Sequence, residues 1–343
     1  MIMLRAYTRY LINVFIFLHI AVVFQSCTKE DSPVDSIHNA RGIAAVANNN
    51  YSLQNFFLGL QVTNHVPLLT EAGPFTVFAP ANEAFNSLGA EARNAIRSNA
   101  TLVGQIVPYH IYPGVLKLND LGEERNQVFT MQNNMTAYIS HMQNDRESLF
   151  TINGIPVQPK GFEASNGLVY TTQALLQPTQ QLSLAELISN DASFTFFSVA
   201  VRHSGLADLL EGSDELTVFA PLNSAFVAMG IFTTDEIESM SPDELKQLVL
   251  PHITEGRQYL YDYIMMADVA SQLYTETMLD RKEASIQLLP NYSWISETGF
   301  RGISISKPDN SGGLNTSEIL IESHIGRTAN NGVLHGISTV LRP

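Results

Sequence analysis

The chain has 343 residues, 45% of them hydrophobic, with 33 acidic and 19 basic side chains and a formal net charge of −14 at pH 7. This length and apolar content are enough for two domains of ordinary size. Because an acidic surface repels phosphate backbones, nucleic acid is not expected as a partner. The single cysteine, Cys27, excludes an intrachain disulfide.

Residues 1–26 have the pattern of a bacterial export signal. A basic start leads into an apolar run from Leu11 to Phe24, which would be about 21 Å long as a helix and is too short for the roughly 30 Å hydrocarbon core of a membrane. The run ends at Ser26-Cys27, which matches a loose lipobox, where a small residue precedes the cysteine that receives diacylglycerol. We therefore expect a lipoprotein signal peptide at 1–26 and a lipid anchor at Cys27, the alternative being a buried free thiol.

Residues 27–40 are predicted to form a flexible tether. The stretch from Thr28 to Pro33 is polar and has no aromatic residue, so it cannot bury enough apolar area to order itself. Its acids also resemble the signal that sends some Gram-negative lipoproteins to the outside of the outer membrane, but a plain tether explains them equally well. We expect an outer-membrane location, with surface exposure if the acidic signal acts.

The sequence contains one internal repeat. The block TVFAPANEAF at Thr76–Phe85 recurs as TVFAPLNSAF at Thr217–Phe226, with eight of ten positions identical. In each block a β-branched and aromatic run predicts a buried strand, and the proline ends it. Asn82 and Asn223 are expected to cap the helix that follows, so that Phe85 and Phe226 face the core.

The repeat continues on both sides of this block. Upstream, Leu53, Phe56 and Leu60 have the spacing of one helix face and match residues of the second copy. Downstream, Ser241-Pro242-Asp243-Glu244 predicts a capped helix start, with the helix running to about Leu250. His110 and His252 follow the equivalent helices, and we expect each to donate to a backbone carbonyl rather than to bind a metal or ligand.

Each copy closes on an Asn-Gly turn, Asn166-Gly167 or Asn331-Gly332, followed by a run with strand propensity. Taken together, the repeats predict domain 1 at 41–178 and domain 2 at 181–343, each with a core of its own. The joint between them is too short to let the domains reorient freely.

At these blocks the chain resembles the fasciclin-domain family, over nearly all of the mature sequence. The resemblance implies an α+β fold of two tandem fasciclin-like domains, each an antiparallel β-wedge covered by helices, in a class of extracellular adhesion modules that mostly lack catalytic chemistry. Animal members engage integrins through a tyrosine-histidine motif. Tyr109-His110 matches it, but the second copy has Pro251-His252, and Gln173 and Ser338 replace the usual closing aspartate, so integrin binding is not carried over.

The residues provide no catalytic constellation, and we predict a protein that is not an enzyme and has no cofactor, catalytic residue or metal site. The acids Asp235, Glu236 and Glu238 follow Thr233 and Thr234, either of which can cap a helix, so they are assigned to a helix first turn. The loop at 309–313 is rich in oxygen and glycine but lacks the spacing of a calcium loop, and a plain turn is the better interpretation.

The candidate binding residues lie in domain 2, where the segment between the histidine and the Asn-Gly turn is longer than in domain 1. Tyr259, Tyr261 and Tyr263 alternate and would share one face of a strand. Tyr292 and Trp294 are flanked by turn residues and are the pair expected to be exposed. The alternative is that these aromatic residues pack the second core and the insertion does not bind.

The sequence therefore favours a cell-surface lipoprotein that binds a glycan, a matrix polymer or a partner protein in adhesion, with the lipid at Cys27 as its contact with the membrane. The alternative is an accessory subunit of an outer-membrane nutrient-uptake complex, in which the domains would hold a transporter partner.

Overall fold

The two halves of the chain repeat the same order of helices and strands. The computed structural model describes residues 42–86, 94, 99–143, 148–290, 300–309, 312–320 and 327–342. The predicted signal peptide, Cys27 and the tether lie outside these residues, as do Tyr292, Trp294 and part of the 309–313 loop. Among the described residues, no helix is long and apolar enough to cross a membrane.

Domain 1 begins with helices, continues through two groups of strands and closes on a strand that returns to the first one. Its helices are α1 (Ile43–Asn49), α2 (Gln54–Val62), α3 (Asn82–Asn86) and α4 (Ala100–Tyr109), and its strands are β1 (Phe75–Pro80), β2 (Ile111–Tyr112), β3 (Glu124–Thr130), β4 (Thr136–Gln143), β5 (Ser148–Ile152), β6 (Ile155–Pro156), β7 (Phe162–Ala164) and β8 (Gly167–Thr172).

Domain 2 repeats this order. Its helices are α5 (Leu184–Ser189), α6 (Thr195–Ser204), α7 (Ala207–Glu211), α8 (Asn223–Ala228), α9 (Thr234–Glu238), α10 (Pro242–Val249) and α11 (Leu260–Met266), and its strands are β9 (Leu216–Pro221), β10 (Ile253–Glu255), β11 (Leu273–Thr277), β12 (Glu283–Pro290), β13 (Phe300–Pro308), β14 (Leu314–Leu320), β15 (Arg327–Ala329) and β16 (Gly332–Ile337).

Each domain contains two four-stranded sheets. In domain 1 they have the strand orders β2-β1-β8-β7 and β3-β4-β5-β6, and in domain 2 the orders β10-β9-β16-β15 and β11-β12-β13-β14. All neighbouring strands are antiparallel except the central pairs, β1 with β8 and β9 with β16, which are parallel. The predicted α+β wedge is therefore confirmed, with one parallel pair at its centre because the closing strand returns beside the first strand after a long excursion.

The central sheet of each domain lies between two apolar clusters. In domain 1, one face of β1 packs Val77 against helix residues such as Phe56, Leu60 and Val107. Phe78, on the opposite face of β1, belongs to the cluster formed with the second sheet. Domain 2 has the same two clusters in its own residues. The predicted helix face of α2 is thus buried, and Phe226 lies in the second core while Phe85 is partly buried beside the first.

The Asn-Gly turns connect the beginning of each domain to its end. The Asn166 side chain accepts a hydrogen bond from Ile43 N at 2.8 Å and donates to the carbonyl oxygens of Leu69 and Glu71. Asn331 makes the same three bonds in domain 2, accepting from Leu184 N at 2.9 Å. One amide therefore caps the first helix and satisfies two carbonyls, which explains why asparagine occupies this position in both copies.

The predicted caps at Asn82 and Asn223 are wrong in one respect, since neither side chain caps its own helix. Asn82 accepts from Asn55 N at 3.1 Å, and Asn223 accepts from Phe196 N at 3.0 Å. Each asparagine caps the N-terminus of the preceding long helix, α2 or α6, because tertiary packing brings that helix end against the strand exit. The capping box at Ser241 and the N-cap at Thr233 are both confirmed.

Candidate functional site

The three alternating tyrosines lie on a helix, which corrects the expected strand. Tyr259 immediately precedes α11, and its backbone N–H donates to the Asp262 carboxylate at 2.7 Å. Leu260, Tyr263 and Ala267 have helical spacing and pack in the same core cluster. The segment forms a helix because the Asp262 carboxylate accepts a hydrogen bond from the backbone N–H of Tyr259 in the first turn. In a helix, Leu260, Tyr263 and Ala267 also lie on one face and pack together in the core.

The same tyrosines are buried rather than displayed. Tyr259 is 2% exposed, Tyr261 8% and Tyr263 0%. Tyr263 packs its ring against Phe219 and Tyr274. None of the three presents a ring to a ligand in this conformation, and Tyr263 packs in the second core as the alternative interpretation holds. The candidate pair Tyr292 and Trp294 falls outside the described residues and stays a prediction.

His110 and His252 are internal cross-links between a helix end and the closing segment. Nδ1 of His110 donates to Ile106 O at 2.8 Å, and its Nε2 accepts from Leu176 N at 3.0 Å. His252 makes the equivalent pair of bonds with Leu248 O and Leu341 N. Burial lowers the pKa of His110 to about 4 and that of His252 to about 3. Both rings are therefore neutral at pH 7, as their use as donor and acceptor requires, and the predicted structural role is confirmed.

Arg257 fixes the junction between the two domains. Its side chain is fully buried, pairs with Glu215 at 3.1 Å and donates to the backbone carbonyls of three residues of domain 2, Ala329, Asn330 and Gly332. The guanidinium also lies 4.0 Å from the centroid of the Tyr138 ring in domain 1. A buried charge is tolerated when it is paired and hydrogen-bonded in this way.

Further contacts surround this arginine at the junction. Asn126 of domain 1 donates to Arg257 O at 2.6 Å, and Tyr138, Tyr259 and Val333 form a small apolar cluster that spans the two domains. At Gly154 of domain 1 the two domains approach so closely that an added Cβ atom would lie 2.3 Å from Tyr259 Cβ of domain 2. The domains are thus joined by a packed interface in addition to the linker.

The linker itself is hydrogen-bonded to both domains. Thr179 Oγ1 donates to Thr136 O at 2.8 Å in domain 1, and Gln180 N donates to Thr328 O at 3.0 Å in domain 2. This agrees with the expectation that the short joint restricts reorientation.

An open groove lies at the opposite edge of domain 1. It has a volume of about 300 Å³ and is lined by residues that precede β1, by Val115, and by the β7–β8 hairpin, namely Ala72, Pro74, Val115, Glu163, Ala164, Ser165, Asn166, Gly167 and Leu168. Val115 is 52% exposed, and Phe162 at the start of edge strand β7 is 45% exposed. Grooves with apolar walls and a few polar groups are the usual binding sites of proteins.

The sequence interpretation missed this groove, although a signal for it exists. Val115 occupies the position of Arg257, and Phe162 that of Arg327, when the two copies are aligned. An apolar side chain that is exposed in domain 1, where domain 2 has a charged one, indicates that the two equivalent surfaces are in contact with different neighbours. Among the described residues, no group of three or more histidine, aspartate, glutamate or cysteine side chains is placed to hold a metal ion.

Comparisons with known proteins agree with the repeat. The Fasciclin domain family model matches residues 52–178 and 192–343. The chain is 29% identical to transforming growth factor-beta-induced protein ig-h3 of Sus scrofa over 191 residues, covering 55% of this chain and 27% of that protein. It is 29% identical to periostin of Homo sapiens over 218 residues, covering 61% of this chain and 24% of that protein.

The chain thus spans about a quarter of the length of these two curated relatives. Protein sll1483 of Synechocystis is 25% identical over 142 residues, covering 41% of this chain and 75% of that protein. A solved structure described as a FAS1 domain pair from the insect cell adhesion molecule fasciclin I covers 85% of this chain and 97% of its own, at 16% identity and a TM-score of 0.36. The family model covers most of this chain, which therefore belongs to the fasciclin-domain family and carries two tandem copies of that domain.

Proposed function

We propose that this protein is a lipid-anchored adhesion module of the cell surface and that the groove of domain 1 is its binding surface. Fasciclin domains occur in cell adhesion and binding proteins, a role that requires displayed surfaces and no reaction centre. The lipid at Cys27 would hold the protein on the outer membrane, and the tether at 27–40 would carry the two domains away from it.

The single observation that carries this proposal is the exposed apolar edge of domain 1. Val115 lines the groove, Phe162 directly precedes the lining residue Glu163 on β7, and both side chains are about half exposed. Burying such side chains against a partner contributes about 25 cal/mol per Å² of apolar area removed from water. The backbone of edge strand β7 adds hydrogen-bonding groups on the outer side of the sheet, since β7 is paired only with β8 among the described strands.

The test is retention of beads coated with the full chain, carrying Cys27→Ser, on defined glycans, purified matrix polymers and surfaces coated with the protein itself. We expect retention on at least one of these, and its loss when Val115→Glu and Phe162→Glu are combined. Val227→Glu is the matched control, because Val227 is 44% exposed on helix α8 of the other domain.

Four results would count against the proposal or redirect it. Retention nowhere, or retention that survives the groove variants, would contradict it. Retention lost only with Tyr292→Ala and Trp294→Ala would move the binding surface to domain 2. Specific capture by an outer-membrane transporter, with no adhesion to any surface, would favour the accessory-subunit alternative.

The anchor has a test of its own. Metabolic labelling with palmitate should mark the wild-type chain and not the Cys27→Ser variant, because the thiolate of Cys27 is the expected acceptor of the lipid. Label retained in that variant would contradict the anchor at Cys27. The proposal that the groove binds a partner does not depend on this result.

A further inference from the structure

The two domains meet through unlike faces. Domain 2 contributes its edge face, which we define as Arg257, Gln258, Tyr259, Asp262 and Val333. Domain 1 contributes the outer face of its second sheet, and this sheet face is defined by Asn126, Tyr138 and Ser140. The contact is therefore asymmetric, because the edge face of domain 2 packs on the sheet face of domain 1.

The repeat places an equivalent edge face on domain 1, and this face is open. Counted from the aligned strands β2 and β10, Val115 stands for Arg257, Lys117 for Tyr259 and Asp120 for Asp262. Val115 is 52% exposed where Arg257 is 2% exposed, and Lys117 and Asp120 are exposed where their counterparts are buried. The groove of domain 1 thus adjoins this open edge face and shares Val115 with it.

The repeat also places an equivalent sheet face on domain 2. The hairpins β3–β4 and β11–β12 turn on Asn134 and Arg281, which have nearly the same positive φ, 61° and 62°. This register makes Ser285 the counterpart of Tyr138 and Gln287 that of Ser140. Leu273 corresponds to Asn126 by residue count from the turn, although Asn126 lies in a register shift between Glu124 and Gln127. Leu273 and Ser285 are exposed and Gln287 is half-buried, whereas Tyr138 and Ser140 are buried under domain 2.

The residues on the two open faces differ from those of the internal junction in a matched way. The contact of Arg257 with Tyr138 becomes one of Val115 with Ser285, so this pair buries no charge, while Lys117 in the place of Tyr259 carries one. Asn126, which donates to Arg257 O, becomes Leu273, an apolar partner for Val115. Asp120 remains an acceptor, and Gln287 replaces Ser140 as a donor opposite it.

From this we propose that the sheet face of domain 2 in one molecule docks on the edge face of domain 1 in a second copy of this chain. The proposal rests on the proposed function, in that it names the partner of the same groove. The internal junction supplies the geometry, since a second copy would repeat it between molecules. A head-to-tail contact of this kind does not close on itself in pairs and produces rows of molecules unless its rotation closes a ring.

The test uses the full chain carrying Cys27→Ser, so that only introduced thiols are present. Because Asn126 Nδ2 lies 2.6 Å from Arg257 O, we place cysteines at the corresponding positions, Leu273 and Val115, where a disulfide forms only if the contact brings the Cα atoms within about 7 Å. A mixture of Val115→Cys protein and Leu273→Cys protein should give a covalent dimer under mild oxidation. Neither protein alone should give one, and a chain with both changes should give a ladder of larger oligomers.

Two further variants separate this contact from chance collision. Ser285→Arg in the Leu273→Cys protein should abolish the mixed dimer, and Val227→Glu should leave its yield unchanged. Ser285 and Val115 are both exposed, and circular dichroism checks that each variant remains folded.

The outcomes distinguish the partner from the surface. Equal cross-linking in each single-cysteine protein would indicate a symmetric or unspecific contact and overturn the proposal. A mixture that stays monomeric would overturn it as well. If beads still bind a glycan or matrix polymer through the groove in that case, the proposed function stands and only the identity of the partner is wrong.

Discussion

Replacing the buried His110 with glutamine should alter how the stability of domain 1 depends on pH. The imidazole is neutral in the folded protein, where it joins Ile106 O to Leu176 N, and burial lowers its pKa from 6.5 to about 4. In the unfolded chain the ring takes up its proton at the ordinary pKa. The stabilisation is therefore complete above pH 6.5 and is lost as the pH falls toward the folded-state pKa.

The size of this effect follows from the two pKa values. Between pH 7 and pH 5 the unfolded state gains most of a proton that the folded state does not, and His110 loses about 2 kcal/mol of its contribution to the free energy of unfolding. At pH 7 the glutamine variant should be less stable by about 1–3 kcal/mol, because a buried donor or acceptor loses its partner. That deficit should shrink by about 2 kcal/mol at pH 5.

The comparison of variants is necessary because another buried group acts in the opposite direction. Burial raises the pKa of Asp262 to about 7, so its protonated form is favoured in the folded protein, and its contribution is lost as the pH rises through 7. Lowering the pH from 7 to 5 therefore recovers stability at Asp262 while it removes stability at His110. The total slope of the wild-type protein consequently says little about either group alone.

The assay is equilibrium urea denaturation of the full chain at pH 7 and pH 5, followed by circular dichroism. His203→Gln is the control, because this histidine is 37% exposed in its side chain and does not join two buried backbone groups. A deficit of His110→Gln that is the same at both pH values would refute the assignment of a neutral, buried cross-link.

Three more predictions concern the junction and the closing turn. Arg257→Met should lower the free energy of unfolding by about 3 kcal/mol in urea denaturation. A double-mutant cycle with Tyr138→Leu should give a coupling energy of about 1 kcal/mol between the two side chains, and a coupling of zero would exclude the contact of Arg257 with the Tyr138 ring. Gly154→Ala would bring a methyl group against Tyr259 and so push the two domains apart at the junction. Protease should then cleave the linker faster while the circular dichroism spectrum stays unchanged. An unchanged cleavage rate would contradict a tight junction. Asn331→Ala removes three hydrogen bonds and should cost about 2–5 kcal/mol in a thermal melt, whereas a loss below about 1 kcal/mol would show that water replaces them.

The sequence was sufficient wherever a structural signal was local or repeated. The serine, proline and glutamate of the Ser241 capping box lie within one turn of helix and predict its start without any knowledge of the fold. The two histidines were interpreted correctly because their repetition at a helix end favours a shared structural bond. The parallel pairing of each closing strand was not predicted, since strand propensity says nothing of which neighbour a strand will have.

The misinterpretations came from contacts that depend on the folded chain. Alternating tyrosines satisfy a strand pattern, but Asp262 and the apolar spacing of Leu260, Tyr263 and Ala267 satisfy a helix pattern in the same nine residues. Asn82 carries a capping side chain, yet which helix end it meets is decided by packing. The groove is found only when Val115 is compared with Arg257 and the exposure of both is known.

The hydrogen bond from Leu184 N to the Asn331 side chain joins residues 147 positions apart, and strand β16 lies between β9 and β15 in the central sheet of domain 2. The helices of this domain can therefore form early from local contacts, but the sheet on which they pack stays incomplete until the chain has been made almost as far as Ile337. Pairings of such sequence separation are slow to form, because the entropy of closing a long loop is lost before the contacts compensate for it. During that interval β9 has an unpaired edge where β16 will later lie, and this is the period in which the protein is most exposed to aggregation and to proteases.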